Sequence, residues 1–192
     1  MKTEEFRRWC GLAGCGGGSD NAVLFCHGDP GAGKHLSGDK DYSLERRKSE
    51  RGLTTCDCSS LVVDRLCDQA GGQETAVTCF YFDFVARKEQ SATSMLGSLV
   101  KQLVSGMERI PQEISRAFQE QKSAIGGRAP RLDDIVKMLQ AITSSLPTFM
   151  CIDALNQCVG VQRLRDLDSL KKILAKSPRT RIFVTGMPYI RA

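Results

Sequence analysis

The chain has 192 residues, 41% of them hydrophobic and 26% charged, with a formal net charge of +5, which is the composition of one medium-sized globular domain around a single core. No apolar run approaches the roughly 20 residues needed to cross a bilayer, and Met1–Trp9 lacks the apolar centre of a signal peptide, so the expectation is a cytoplasmic protein without a membrane partner. The nine cysteines are odd in number and irregular in spacing, which suits buried free thiols in a reducing compartment, and Cys56-x-Cys58 is a lone pair narrower than the Cys-x-x-Cys units of a zinc site.

In chain order, residues 1–21 are expected to hold an N-terminal helix, with Phe6 and Trp9 covering the sheet edge, and the Gly-rich loop Gly14–Gly18 leading into the first strand. Ala22–Cys26 is a short apolar run. Residues 35–57 are polar, mixed in charge and without a sustained apolar period, so they are expected to be a disordered insertion. The amphipathic segment that begins at Ser59-Ser60-Leu61-Val62 appears only after it. Val77–Phe84 is β-branched and aromatic, hence a strand; Asp83 near its end is expected to make a strand-terminal hydrogen bond. Met95, Leu96, Leu99, Val100 and Leu103 recur at helical spacing.

After the Gly126–Pro130 loop, Leu132, Ile135, Val136, Leu139 and Ile142 repeat that spacing, with Asp133 and Asp134 at the positive end of the helix dipole. Thr148–Asp153 is a second buried strand. A basic helix over about 163–175 follows. Arg163, Arg165, Lys171, Lys172, Lys176, Arg179 and Arg181 alternate there with Leu164, Leu167, Leu170 and Leu174, the layout of an apolar stripe opposite a solvated basic face. No aromatic residues interleave with these charges, so no nucleic-acid partner is expected. Arg181–Thr185 is a last strand, and Pro147, Pro178 and Pro188 mark boundaries. Strands alternating with helices imply a mostly parallel sheet covered on both faces, with ligands beyond the carboxyl ends of the strands; Lys34, Asp153 and Thr185 all fall near such ends.

Two motifs carry chemistry. Gly28-Asp29-Pro30-Gly31-Ala32-Gly33-Lys34 has the spacing G-x-x-x-x-G-K directly after an apolar run. Successive backbone N–H groups of such a turn point at an anion, glycines permit the close approach, and the lysine reaches the β- and γ-phosphates. Phe149-Met150-Cys151-Ile152-Asp153 supplies the second half, an apolar strand closed by a carboxylate of the kind that holds Mg²⁺, often through water. His27 beside the loop reads as a packed rim residue rather than a ligand.

The stretch Leu24–Lys34, the strand Phe80–Phe84, the segment Gln90–Leu103, Ile152-Asp153-Ala154-Leu155-Asn156-Gln157-Cys158 and Ile182–Pro188 together resemble fungal NACHT-type P-loop domains, related to the N-terminal domain of nephrocystin-3-like proteins. The resemblance covers roughly residues 4–34 and 58–190. It implies an α/β P-loop NTPase-like three-layer fold with a mostly parallel sheet over 22–192. It further implies ATP or GTP as ligand with Mg²⁺, a signal-transducing switch within longer chains, and homotypic contact with related domains. The family's fifth strand, which flanks the first, is expected to be missing at the C-terminus.

Four positions depart from that family's pattern. His35 stands where a Ser or Thr hydroxyl would bind Mg²⁺, a cation that prefers oxygen to imidazole. Asn156 and Gln157 stand where Asp and Glu are usual, and a neutral amide cannot take a proton from the attacking water. Met187 stands where an arginine beside Pro188 would stabilise charge on the γ-phosphate, a role worth about 10³-fold or more. The expectation is therefore nucleotide binding through Gly28–Lys34 and His35, with Asp153 as the Mg²⁺ residue and with weak or absent hydrolysis. The alternatives are a non-enzymatic pseudo-NTPase interaction module, or a non-functional fragment in which residues 35–57 are an artefact of the gene model.

Overall fold

Two strands are buried along their whole length and fix the rest of the domain: β3 (Thr148–Asp153) and β4 (Thr180–Gly186). Continuous apolar runs of this kind belong in the middle of a parallel sheet, where both faces are covered. β1 (Val23–His27) pairs with β4 and β2 (Ala76–Tyr81) pairs with β3, all in parallel, giving a four-stranded sheet of order β1-β4-β3-β2. The computed structural model describes residues 4–11, 22–27, 57–70, 75–83, 85–86, 89–112, 114–116, 119, 130–158 and 160–186. The four strands are those of the described residues, and a fifth is not among them.

Helices cover both faces, so the fold is α/β with three layers. On one face lie α1 (Glu4–Gly11) and α2 (Asp57–Ala70), whose Phe6, Trp9, Val62 and Leu66 pack on Phe149, Cys151 and Phe183. On the other lie α3 (Ala92–Ser105), α4 (Leu132–Ser145) and α5 (Gly160–Leu174), packed on Met150, Ile152, Ile182 and Val184. Alternate residues of each central strand thus feed opposite cores, as the two-residue period of a strand requires.

Trp9 does not cover the sheet edge. Its ring lies 5.3 Å from that of Phe149 and 6.3 Å from that of Phe183, over the two central strands, and its indole N–H donates to the Ala22 carbonyl. The centre of the sheet offers two aromatic partners and complete desolvation, which an edge does not. The strand predicted to reach Phe84 ends at Tyr81. There Asp83 turns the chain: its carboxylate accepts the Val85 N–H at 2.8 Å, and its own N–H donates to Gln90 Oε1 at 3.0 Å.

The predicted helix positions hold well for α3 and α4. A reciprocal capping box between Ser91 and Ser94 starts α3, and Met95, Leu96, Leu99, Val100 and Leu103 are all buried. The basic residues at the end of the chain behave differently from a solvated face. Arg179 donates to the carbonyls of Ser144 and Ser145 at the C-terminal end of α4, where a cation complements the helix dipole. Arg181 is 1% exposed within β4 and donates to the carbonyls of Pro178 and Thr180.

The outer edge of β2 is occupied by a side chain. Gln102 of α3 accepts the Cys79 N–H at 3.0 Å and donates to the Cys79 carbonyl at 2.8 Å, so its amide stands where the peptide of a further strand would pair. This blunts one edge of the sheet against pairing with another chain.

Gly97 lies inside α3, where a Cβ would meet nothing nearer than Ile135 Cδ1 at 3.9 Å. Glycine is poor in a helix interior because its unfolded chain has more freedom to lose. Gly97→Ala is therefore expected to stabilise the domain by about 0.5–1 kcal/mol, read as a higher urea midpoint at unchanged slope; a lower midpoint would mean that α3 and α4 pack more tightly than described.

Candidate functional site

The acidic strand end is built by three neighbouring strands. β3 and β4 run in register from Thr148 and Thr180, which brings Asp153 beside Thr185 at their carboxyl ends. The Thr185 hydroxyl donates to Asp153 Oδ1 at 2.5 Å, and the Thr185 hydroxyl oxygen accepts the Ala154 N–H at 2.9 Å. Asp153 is 5% exposed, and a carboxylate so enclosed is tolerated only when its oxygens are engaged. On the other side Tyr81 is the register partner of Asp153. Burial first, and then the neighbouring Cys79, Cys151 and Asp153, raise its phenol above the ordinary range, so it is a neutral neighbour.

The chain must turn sharply after Asp153. Ala154 takes a left-handed conformation with φ 55°, unusual for a residue with a Cβ. A single turn of 3₁₀ helix, Leu155–Gln157, follows. The Thr185 hydroxyl holds the strained Ala154 amide in place, and strain of this kind tends to accumulate at functional sites.

Behind the turn lies a buried polar cluster that the apolar pattern of α5 does not announce. Of the stripe expected from Leu164, Leu167, Leu170 and Leu174, Leu170 is buried and Leu167 and Leu174 pack against the core, but Leu164 is 69% exposed, and Asp166 and Ser169 are buried alongside Ile173. Asp166 is fully buried at 0% exposure. Its Oδ2 accepts the Cys158 thiol at 3.1 Å, while its Oδ1 is buried without a partner. Burial pushes the Asp166 carboxyl up, partly opposed by hydrogen bonds from Cys158 and Gln162. Burial and the adjacent carboxylate push the Cys158 thiol up to about 12, which leaves it unreactive as a nucleophile. Arg163 donates from one nitrogen to the carbonyls of Asn156 and Cys158, at 3.2 and 2.9 Å.

Of the residues predicted for the site, Asp153, Asn156 and Gln157 are described and lie on this one turn. Gly28, Asp29, Pro30, Gly31, Ala32, Gly33, Lys34, His35 and Met187 lie outside the described residues, as do the side chain of His27 and residues 35–56 of the expected insertion. β1 ends at His27, paired in register with Gly186, at the same end of the sheet as Asp153 and Thr185. Two strand spacings separate β1 from β3, about 10 Å, so the carboxyl end of β1 and the Asp153 carboxylate lie at one end of the sheet. Sequence reasoning missed Arg163, Asp166 and Cys158 as a unit; an acidic residue on the core side of an otherwise amphipathic helix was the available signal. Among the described residues no cluster of three His, Cys, Asp or Glu side chains is arranged to hold a metal ion, and no helix is long and apolar enough to cross a membrane.

Fold and strand end together define a parallel α/β domain of P-loop-like architecture with an acidic residue closing a central strand. The family described as the N-terminal domain of nephrocystin 3 matches residues 54–186. That is more than half of the chain, and the chain belongs to this family. The match begins beyond Lys34, so the Gly-rich motif lies outside it. Comparison with curated proteins and with solved structures finds no match.

Two outcomes follow from this geometry. Thr185→Val removes the donor to a buried carboxylate and the acceptor of a strained amide, and is expected to cost about 2–4 kcal/mol in chemical denaturation, against less than about 1.5 for Thr185→Ser, which keeps the hydroxyl. The raised Asp166 carboxyl contributes stability that is full below its ordinary value of 3.8 and is lost as pH rises through its folded value. Asp166→Asn should therefore gain on the wild-type chain as pH rises from 4 to 7 (roughly the range above the free carboxyl's titration); a difference in urea midpoint that does not change with pH would contradict a buried, titrating carboxyl.

Proposed function

We propose that this chain is the nucleotide-binding domain of a signalling protein of NACHT type, binding ATP or GTP with Mg²⁺ and hydrolysing it weakly or not at all. The observation that carries the reading is the Asp153 carboxylate, held by Thr185 at the carboxyl end of a central parallel strand, on the side of the sheet from which β1 runs into Gly28–Lys34. Membership of the nephrocystin-3 N-terminal family supports it at the level of the fold.

On this reading the backbone amides of Gly28–Lys34 receive the phosphates, Lys34 neutralises the β- and γ-phosphate charge, and Asp153 offers Mg²⁺ a hard oxygen ligand, directly or through water. A carboxylate already oriented by a hydroxyl suits such a cation better than a thiol or imidazole would. Bound Mg²⁺ would supply charge neutralisation at the phosphates. The residues that would speed hydrolysis are replaced: His35 offers no hydroxyl, Asn156 and Gln157 offer no base, and Met187 offers no positive charge. A switch that binds nucleotide and exchanges it without turnover is what remains.

Titration of the purified chain with ATP and GTP, with Mg²⁺ and with EDTA, tests this reading. Saturable binding is expected in Mg²⁺; Asp153→Asn should weaken the Mg²⁺-dependent binding about tenfold or more, whereas Lys34→Ala should weaken binding in both conditions. Absence of saturable binding at millimolar nucleotide overturns the proposal, and phosphate release well above the buffer control overturns the claim of lost hydrolysis.

A further inference from the structure

The first turns of α5 are arranged at a cost to their own stability. Arg163 sits near the N-terminal end of the helix, where the dipole disfavours a cation. Its Nε and Asp166 Oδ1 are both buried without a hydrogen-bond partner, and orphaned polar atoms of this kind are unfavourable. Asp166 is buried on this helix while Val161 and Leu164 are exposed. Local rules broken together in one place point to a role other than holding the fold.

The gain is visible in what the cluster touches. Arg163 grips the carbonyls of Asn156 and Cys158, and Asp166 grips the Cys158 thiol. At the other end of the same short segment the Ala154 amide is tied to Thr185. Residues 154–158 are thus clamped from both sides, from β4 and from α5, around the 3₁₀ turn that follows Asp153. We propose that Arg163 is a positioning residue that, with the Asp166–Cys158 pair, latches the 154–158 turn onto α5 and so fixes the Asp153 end of β3 for a Mg²⁺-bound nucleotide. This rests on the nucleotide reading above, and Arg163 acts through the carbonyls of Asn156 and Cys158. Residues that orient a metal-binding carboxylate from behind typically alter affinity by about 10- to 100-fold when changed.

The test uses the full chain and three variants, Arg163→Ala, Arg163→Lys and Asp166→Ala, with two readouts. Amide hydrogen exchange followed by mass spectrometry reports the turn: Arg163→Ala should speed exchange over 154–158 about tenfold while the amides of β3 and β4 keep their rates, since local opening can occur without global unfolding. ATP and GTP titration reports the site: Arg163→Ala should lower affinity about tenfold in Mg²⁺ and leave affinity in EDTA unchanged, and Arg163→Lys, which still donates to carbonyls, should recover most of the loss. A purely structural role would instead change both affinities together or neither; that result overturns the inference. So does wild-type exchange at 154–158 in Arg163→Ala. If the wild-type chain binds no nucleotide, the functional reading fails by itself, and the exchange experiment decides the latch alone. Should Arg163→Ala not fold, Asp166→Ala, which removes the acceptor of the Cys158 thiol, is held to the same exchange and affinity outcomes.

Discussion

The hydrogen bond from Thr185 to Asp153 is the constraint around which the site end of the domain is organised. A carboxylate closing a strand that is buried along its length must be met by a donor, or the strand cannot end there. The donor comes from the neighbouring strand in register, so the pairing of β3 with β4 and the placement of the carboxylate are one requirement. The same hydroxyl then accepts the Ala154 amide, which sets the left-handed turn by which the chain leaves the sheet. One side chain thereby joins sheet register, strand termination and the direction of the following turn.

This arrangement also explains why parts of the fold could be read from the residues and others could not. Thr148–Asp153 was legible because a strand covered on both faces needs an unbroken apolar run, and few other structures do. α3 and α4 were legible because their buried stripes repeat at helical spacing without interruption. α5 was legible in part: Leu167, Leu170 and Leu174 of its stripe face the core, whereas Leu164 is exposed and Asp166 and Ser169 are buried. What the stripe does not announce is the set of polar contacts that Asp166 and Arg163 make with a segment outside the helix, since contacts between segments leave no periodic trace. Arg181 misled for a similar reason: counted by charge it belongs to a basic surface, yet its stem packs within the sheet while its guanidinium serves nearby carbonyls.

The two edges of the sheet are treated differently. At β2 the Gln102 amide occupies the outward-facing peptide groups of Cys79, and Thr78 donates to the same side chain. At β1, Val23 is 44% exposed and the strand pairs with β4 on one side. The edge next to the carboxylate's partner strand is thus the less elaborated one among the described residues. The site end lies between these edges, where three parallel strands present their carboxyl ends together, the position at which open α/β sheets take ligands.

On the proposed reading, binding and turnover make separate demands on the site, and the chain is suited to them unequally. A carboxylate and its hydroxyl partner serve the fold as well as any bound cation, so they persist for structural reasons whether or not a phosphate is ever cleaved. A base, a hydroxyl beside the lysine and an arginine near the γ-phosphate serve turnover without serving the fold, and their positions are held by Asn156, Gln157, His35 and Met187. The proposed latch follows the same division. It orders the turn behind the carboxylate, which matters for holding a metal-bound phosphate in one geometry, and it adds no group that could take or give a proton. On the proposed reading, a domain that holds nucleotide without cleaving it is suited to reporting whether nucleotide is present, since a bound ligand then leaves by dissociation and not by reaction.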